Sequence, residues 1–331
     1  MSTFVTESTA AFIRYLPVLR HCRHVAVFDW GGGTLDISIL QLRDGTVTEL
    51  ATEGMEIAGD ELDLDLARAV HARVMEQRQT PHAFETMPSA DRDTLRTKCE
   101  YAKRELSRAF SADILMSSYG GAPLHVEVTT GWFESVVSPH VDLAIERLTA
   151  AVESARLSFD AIDRLLLVGG SSKLRLLKER LRRDPRYSAA LHIAEDAEWD
   201  VAHGAAIVEQ ATGGYELAES LGIILSDNSY YELVSPGARS GGPDRSVVLS
   251  LVEDARQANI IIDKRPNLTS PTSERVLAFG VNTLGFNLEE LRLRYRITPD
   301  MMLQVEAGSE SLSPRETIAK QYGKLLFAYR F

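Results

Sequence analysis

The sequence predicts an α/β domain followed by a β-sandwich-like domain, and three observations predict it. Apolar runs flank a triple-glycine turn in residues 28–40, FDWGGGTLDISIL, and amphipathic helical patterns follow. A second apolar run, residues 162–168, passes through Gly169-Gly170-Ser171-Ser172 toward another helix. Past residue 213 the pattern changes to brief strand-like runs separated by Gly, Pro, Asn and Asp. The expected domains are residues 1–213 and 214–331.

Glu7-Ser8-Thr9-Ala10-Ala11 leads into Phe12, Tyr15 and Leu16 as a short helix with a Ser/Thr start signal. Residues 25–28 and 37–42 read as strands joined in a tight hairpin by Gly31, Gly32 and Gly33. Without Cβ atoms at the turn, backbone N–H groups can converge on an anion, and the Thr34 hydroxyl adds a donor. Asp29 and Asp36 flank this nest, and an acid beside a phosphate implies Mg²⁺ or a metal-bound water between them. A plain strand turn remains the alternative. Asp44-Gly45 then turns the chain into a third antiparallel strand, residues 47–52.

Gly59 opens a helix with Leu62, Leu66, Ala69, Val70 and Val74 on one face; its first-turn acids fit ordinary helix-dipole stabilisation. The helix over residues 91–108 carries two stripes. Leu95, Cys99, Ala102 and Leu106 make a buried face, while Glu100, Lys103, Arg104 and Ser107 line another, which reads either as a ligand-binding face or as a solvated, salt-bridged one. A helix is expected from Pro139, with Val141, Ile145, Leu148 and Val152 inward. The passage through Gly169, Gly170 and Ser171 is a phosphate or adenine site, or a close strand-to-helix turn. Small residues in Val201-Ala202-His203-Gly204-Ala205-Ala206 suit close helix packing.

In the second domain the expected strands are residues 246–252, 259–263, 275–279, 291–297 and 302–306, and residues 313–328 read as helix-like. A net charge of -11 argues against nucleic acid and anionic membranes, which need basic patches. Two cysteines are too few for a disulfide framework or a zinc site. With no signal-like start and no apolar stretch of about 18 residues, a cytoplasmic location is expected.

Asp29-Trp30-Gly31-Gly32-Gly33-Thr34-Leu35-Asp36 resembles the second phosphate loop of DnaK-type heat-shock chaperones, members of the actin-like ATPase superfamily. Other segments similar to that family follow in its order: Glu7 to Ala11, Gly59 with its acids, CEYAKRELS from Cys99, LLLVGGSSKL from Leu165, and Val201 to Ala206. The resemblance implies an ATP/ADP site with Mg²⁺. Gly31, Gly32, Gly33, Thr34 and Gly59 would approach the phosphates, and Glu100, Lys103, Arg104 and Ser107 the adenosine. Gly169, Gly170, Ser171 and Lys173 would lie at the adenine, Lys173 replacing a stacking arginine without its planar surface. Asp29 would face the metal through water, and Glu7 would order that water, these two being the candidate catalytic groups.

The resemblance departs from the family in two ways. The half-lobe with the first phosphate loop and the catalytic lysine has no counterpart ahead of Glu7, and no helical lid follows. The expectation is therefore a partial nucleotide-binding domain and a peptide-gripping β-domain. Strands 25–28 and 37–42 are expected to have exposed edges and apolar faces, covered by a second chain, by self-association or by a rearranged N-terminus. Hydrolysis of ATP is then expected only if a partner supplies the missing groups. The alternative function is a non-enzymatic scaffold that keeps the fold.

Overall fold

The structure is a computed structural model that describes residues 5–193, 199–210, 214–266 and 272–330. Two compact units emerge, one of residues 7–40 and 51–205, the other of residues 1–6, 41–50 and 206–331. Of the expected boundary Thr212-Gly213-Gly214, the first two residues lie outside the described ones.

The first unit is built from α1 (Glu7–Leu19), β1 (His24–Trp30), β2 (Leu35–Arg43), β3 (Thr46–Met55), α2 (Gly59–Arg78), α3 (Ser89–Leu106), β4 (Ser111–Tyr119), β5 (Ala122–Thr129), α4 (Thr130–Ser154), β6 (Arg164–Val168), α5 (Arg175–Arg183), β7 (Leu191–Ile193) and α6 (Asp200–Gln210). Its strands run β7-β6-β1-β2-β3, residues 41–50 of β2 and β3 and residues 206–210 of α6 belonging to the second unit, and β4-β5 form a separate hairpin. β6 lies parallel to both β1 and β7. All of β1 is buried, which is why it reads as an unbroken apolar run rather than an alternation. α1 packs on β1, and α2 packs against α3 and α4. Gly204 lies against the backbone of Ala10, where a Cβ has no room, so α6 approaches α1 at backbone distance.

Several expectations are met residue by residue. Leu95, Cys99, Ala102 and Leu106 are the buried residues of α3. Asp44 and Gly45 sit at φ 50° and 72°, the left-handed pair that a two-residue type I′ hairpin turn needs. Other expectations are corrected. β1 is not an edge, because β6 and β2 flank it, and β2 lies between β1 and β3. α4 starts at Thr130, not at Pro139: the Thr129 hydroxyl caps it by accepting from the Trp132 amide, and Phe133 and Val137 extend the inward stripe ahead of the proline. The β4-β5 hairpin was not anticipated, although Ala112, Ile114 and Met116 alternate inward and Gly120 and Gly121 turn with positive φ.

The second unit adds β8 (Gly214–Leu217), β9 (Ser220–Ile224), β10 (Tyr230–Val234), β11 (Arg245–Ser250), β12 (Gln257–Arg265), β13 (Glu274–Asn282), β14 (Glu290–Ile297), β15 (Leu303–Ser309), β16 (Ile318–Tyr322) and β17 (Phe327–Arg330). Two four-stranded sheets, β10-β9-β12-β13 and β11-β14-β15-β16, meet where β13 packs on β15 and β16. This is the expected sandwich, with all five expected strands present. The helix-like reading of residues 313–328 is wrong. Apart from a 3-10 turn at Pro314–Glu316, the segment contributes β16 and the start of β17. Leu325, Phe327 and Tyr329 are buried at every second position, a strand period. Among the described residues, no helix is long and apolar enough to cross a membrane.

Candidate functional site

The site grows from the end of β1 in the first unit. Trp30 is fixed by its indole N–H, which donates to the Ile57 carbonyl at 3.2 Å, and the Gly31 amide donates to the Thr34 carbonyl at 3.0 Å, closing the turn. The carbonyls of Gly31 and Gly32 accept from the amides of Gly59 and Asp60 at 3.2 and 2.8 Å. The glycine loop thus caps α2, whose own N-cap residue, Ala58, has no side chain able to do so. Around Gly33 a Cβ would meet open space, so this side of the loop is accessible. The Thr34 hydroxyl donates to Asp36 Oδ2 at 2.7 Å, which fixes it to the flanking acid.

Gly59 is the point of convergence. A Cβ there would stand 2.8 Å from Ser171 Oγ, 3.2 Å from the Gly31 carbonyl oxygen and 3.2 Å from Lys103 Nζ, so only glycine lets these segments meet. Ser171 Oγ itself donates to the Gly31 carbonyl at 2.7 Å. Lys103 Nζ donates to the Gly59 carbonyl at 2.9 Å and to Asp63 Oδ2 at 2.7 Å. Gly169 adopts φ +79°, and a Cβ on it would lie 2.5 Å from Asp29 Oδ1 and from the Trp30 carbonyl. Gly31, Gly59, Lys103 and Ser171, with Asp29 beside Gly169, are therefore gathered from four distant parts of the sequence.

The remaining predicted residues sit around this knot in less committed positions. Glu100 and Arg104 pair with each other at 2.7 Å on the exposed face of α3, and Ser107 Oγ donates weakly to the Lys103 carbonyl at 3.4 Å. The face thus carries the helical ion pairing of a solvated surface together with one inward lysine. Gly170 has open space around it, and Lys173 lies at the end of the 3-10 turn Ser171–Lys173. A small depression beside Ser107 is lined also by Phe133, Leu174 and Arg175.

Charge distinguishes the acids. Asp29 is 6% exposed, and burial, then Glu7, Asp36 and Asp200, push its carboxyl up to about 7. Among the described residues, the charges acting on it are negative. Glu7 is exposed at the start of α1 and reaches Asp29 only through this field. Asp200 is fully buried, takes the Tyr15 hydroxyl proton at 2.9 Å on Oδ2, and keeps Oδ1 without a partner among the described residues. Asp63 is lifted to about 6 by burial, against the pull of Lys103.

Two buried acids near these residues escaped sequence reasoning. Asp63 is not a helix-dipole acid but the buried partner of Lys103, and the signal was its place beside Leu62 and Leu66 in the apolar stripe. Asp200 precedes the small-residue run that was read as packing only.

A nucleotide and its metal fit this set on two counts. The open space around Gly33 leaves one side of the glycine loop accessible to an anion, and the charges that the described residues put on Asp29 are acidic, a field that a cation relieves. Among the described residues no three His, Cys, Asp or Glu side chains cluster as a direct metal site.

The sequence profile of the family described as Hsp70 protein matches residues 2–227. The chain is 32% identical over 236 residues to the chaperone protein DnaK of Thermotoga neapolitana, a match covering 67% of this chain and 38% of that protein. Similarity to DnaK of Thermotoga petrophila is 31% over 236 residues, and to DnaK of Thermosipho africanus 30% over 235, each with the same coverage of 67% and 38%. The chain thus spans well under half the length of the curated relatives it matches.

Proposed function

Because the chain belongs to the Hsp70 family, we propose that it is a DnaK-type chaperone-like protein of the cytoplasm that binds adenine nucleotide incompletely and engages protein or extended apolar peptide partners. The observation that carries the nucleotide reading is the meeting of Gly31, Ser171 and Lys103 at Gly59, with Asp29 beside Gly169. Backbone N–H groups of residues 32–34 hold phosphate oxygens, with Gly31 closing the turn beneath them, and Glu100, Lys103, Arg104, Ser107 and residues 169–173 surround the adenosine. Asp29 orders a metal-bound water, with Glu7 behind it. Mg²⁺, when bound, neutralises phosphate charge.

Among the described residues, the charges acting on Asp29 are acidic. On this reading a second, different chain supplies the remaining phosphate loop and the catalytic lysine, and turnover depends on it. The partner completes the chemistry, not the sheet, since β1 and β2 are already flanked. A scaffold that keeps the fold without turnover is the second reading; it is favoured by the mutual satisfaction of Glu100 and Arg104 and of Lys103 and Asp63.

Calorimetry with Mg-ADP separates the two. Saturable binding, micromolar or weaker, is expected from the loss of part of the contacts, each 1.4 kcal/mol being about tenfold. No heat at millimolar nucleotide from folded protein supports the scaffold. Alone, the chain is expected to hydrolyse ATP no faster than its Gly32→Asp variant. Magnesium-dependent turnover abolished by Gly32→Asp would place the whole catalytic set in this chain.

A further inference from the structure

In the second unit, residues 324–330 lie in a groove built for an extended segment. β17 is antiparallel to β3 on one side, with Ala328 opposite Thr48, and antiparallel to β8 on the other, with Tyr329 opposite Tyr215. Leu325, Phe327 and Tyr329 point inward at 5%, 2% and 1% exposure. The Tyr329 ring rests on Tyr215 with centroids 5.0 Å apart, and Phe327 meets the same ring edge-on.

Groups outside the ladders hold the backbone entering this strand. The Leu326 amide donates to Glu219 Oε1 at 3.0 Å, and the Phe327 amide donates to Glu49 Oε2 at 3.2 Å. The Ala218 amide donates to the Leu326 carbonyl at 2.9 Å, and Lys264 Nζ to the Lys324 carbonyl at 3.3 Å. Both glutamates are buried, at 2% for Glu49 and 4% for Glu219, and Thr6 holds the other oxygen of Glu49 at 2.7 Å. Backbone recognition along the segment plus pockets for alternate side chains is the pattern of strand-addition peptide sites. The buried carboxylates that accept these main-chain N–H groups are themselves supported, Glu219 by Lys264 Nζ at 3.8 Å and Glu49 by Thr6.

The segment is also easy to detach. β17 spans only Phe327–Arg330 and joins β16 through residues 323–326, which form no helix or strand and include an exposed Gly323. Removing it leaves both four-stranded sheets of the sandwich with all their strands.

We propose that the groove between β3 and β8 is a strand-binding site, and that residues 324–330 of a second copy of this chain occupy it in exchange for its own. The occupant is a second copy because the pockets and the carboxylates already match this sequence, so an exchanged strand regains every contact of the closed form. Exchange of identical elements therefore costs little beyond association. The proposal is independent of nucleotide.

Two full-length variants, Thr48→Cys and Ala328→Cys, test it when mixed under mild oxidation. The native Cys22 and Cys99 are buried and do not compete. A disulfide joining one chain's position 48 to the other's position 328 is expected, its yield rising with protein concentration and falling several-fold when excess peptide of residues 324–330 is added. The double variant Thr48→Cys/Ala328→Cys reports independently that the strand pairs as described, through its intrachain disulfide. If that bond forms and the mixed single variants stay monomeric at the highest soluble concentration, the proposal is overturned. If neither forms while both proteins remain folded, the groove itself is wrong and the proposal falls with it.

Discussion

Asp29 and Asp63 are buried to nearly the same degree in the same unit, at 6% and 3% exposure, yet they live under opposite fields. Asp63 has the Lys103 ammonium at 2.7 Å and rises only to about 6; Asp29 has three acids acting on it and rises to about 7. The difference teaches that one aspartate has a cation within the chain, on Oδ2, while the charges the described residues put on the other are all acidic. The first is structure, and the second is where chemistry can enter.

The largest expected loss of stability comes from breaking the Lys103–Asp63 pair. Lys103→Met leaves Asp63 buried without its cation and is expected to cost about 3 kcal/mol at pH 7, measured by urea unfolding. A loss below about 1 kcal/mol would mean that the pair is much better solvated than its burial says.

Asp29→Asn acts in the other direction. A carboxyl raised from 3.8 to about 7 adds stability that is fully present below its unfolded value and lost as the pH climbs to about 7. The variant, free of the ionised form, is therefore expected to be about 4 kcal/mol more stable than wild type at pH 8, with the advantage shrinking toward pH 4. Its Mg²⁺-dependent gain in nucleotide affinity is expected to disappear as well. Equal stability at pH 8 would place water or a cation beside the wild-type carboxylate.

The smallest effect on stability is expected on the α3 surface. Arg104→Ala removes an exposed ion pair and is expected to change stability by less than about 0.5 kcal/mol. Nucleotide titration sharpens this: an affinity loss of about tenfold assigns Arg104 to the adenosine, and none leaves it to Glu100.

Local pattern made much of this legible. The glycine hairpin, the Asp44-Gly45 turn and the inward face of α3 were readable because each depends on neighbours within a few residues. What could not be read was pairing across distance. The period of two in Leu325, Phe327 and Tyr329 stood in the sequence, but its burial comes from β3 and β8, far away along the chain. Likewise Lys103 lay on a recognised stripe, while the identity of its partner depended on how α2 faces α3. Pro139 misled because proline favours a first helical turn, whereas α4 carries it inside.

Gly204 and Ala10 set a spacing of another kind. α6 rests on the backbone of α1 with no side chain between, and Asp200, at the first turn of α6, is one of the charges that Asp29 feels. The missing methyl therefore works as a calibration: it fixes how far one carboxylate stands from another. A single added carbon at Gly204 moves α6 outward, carries Asp200 with it, and retunes the acidity of a group it never touches.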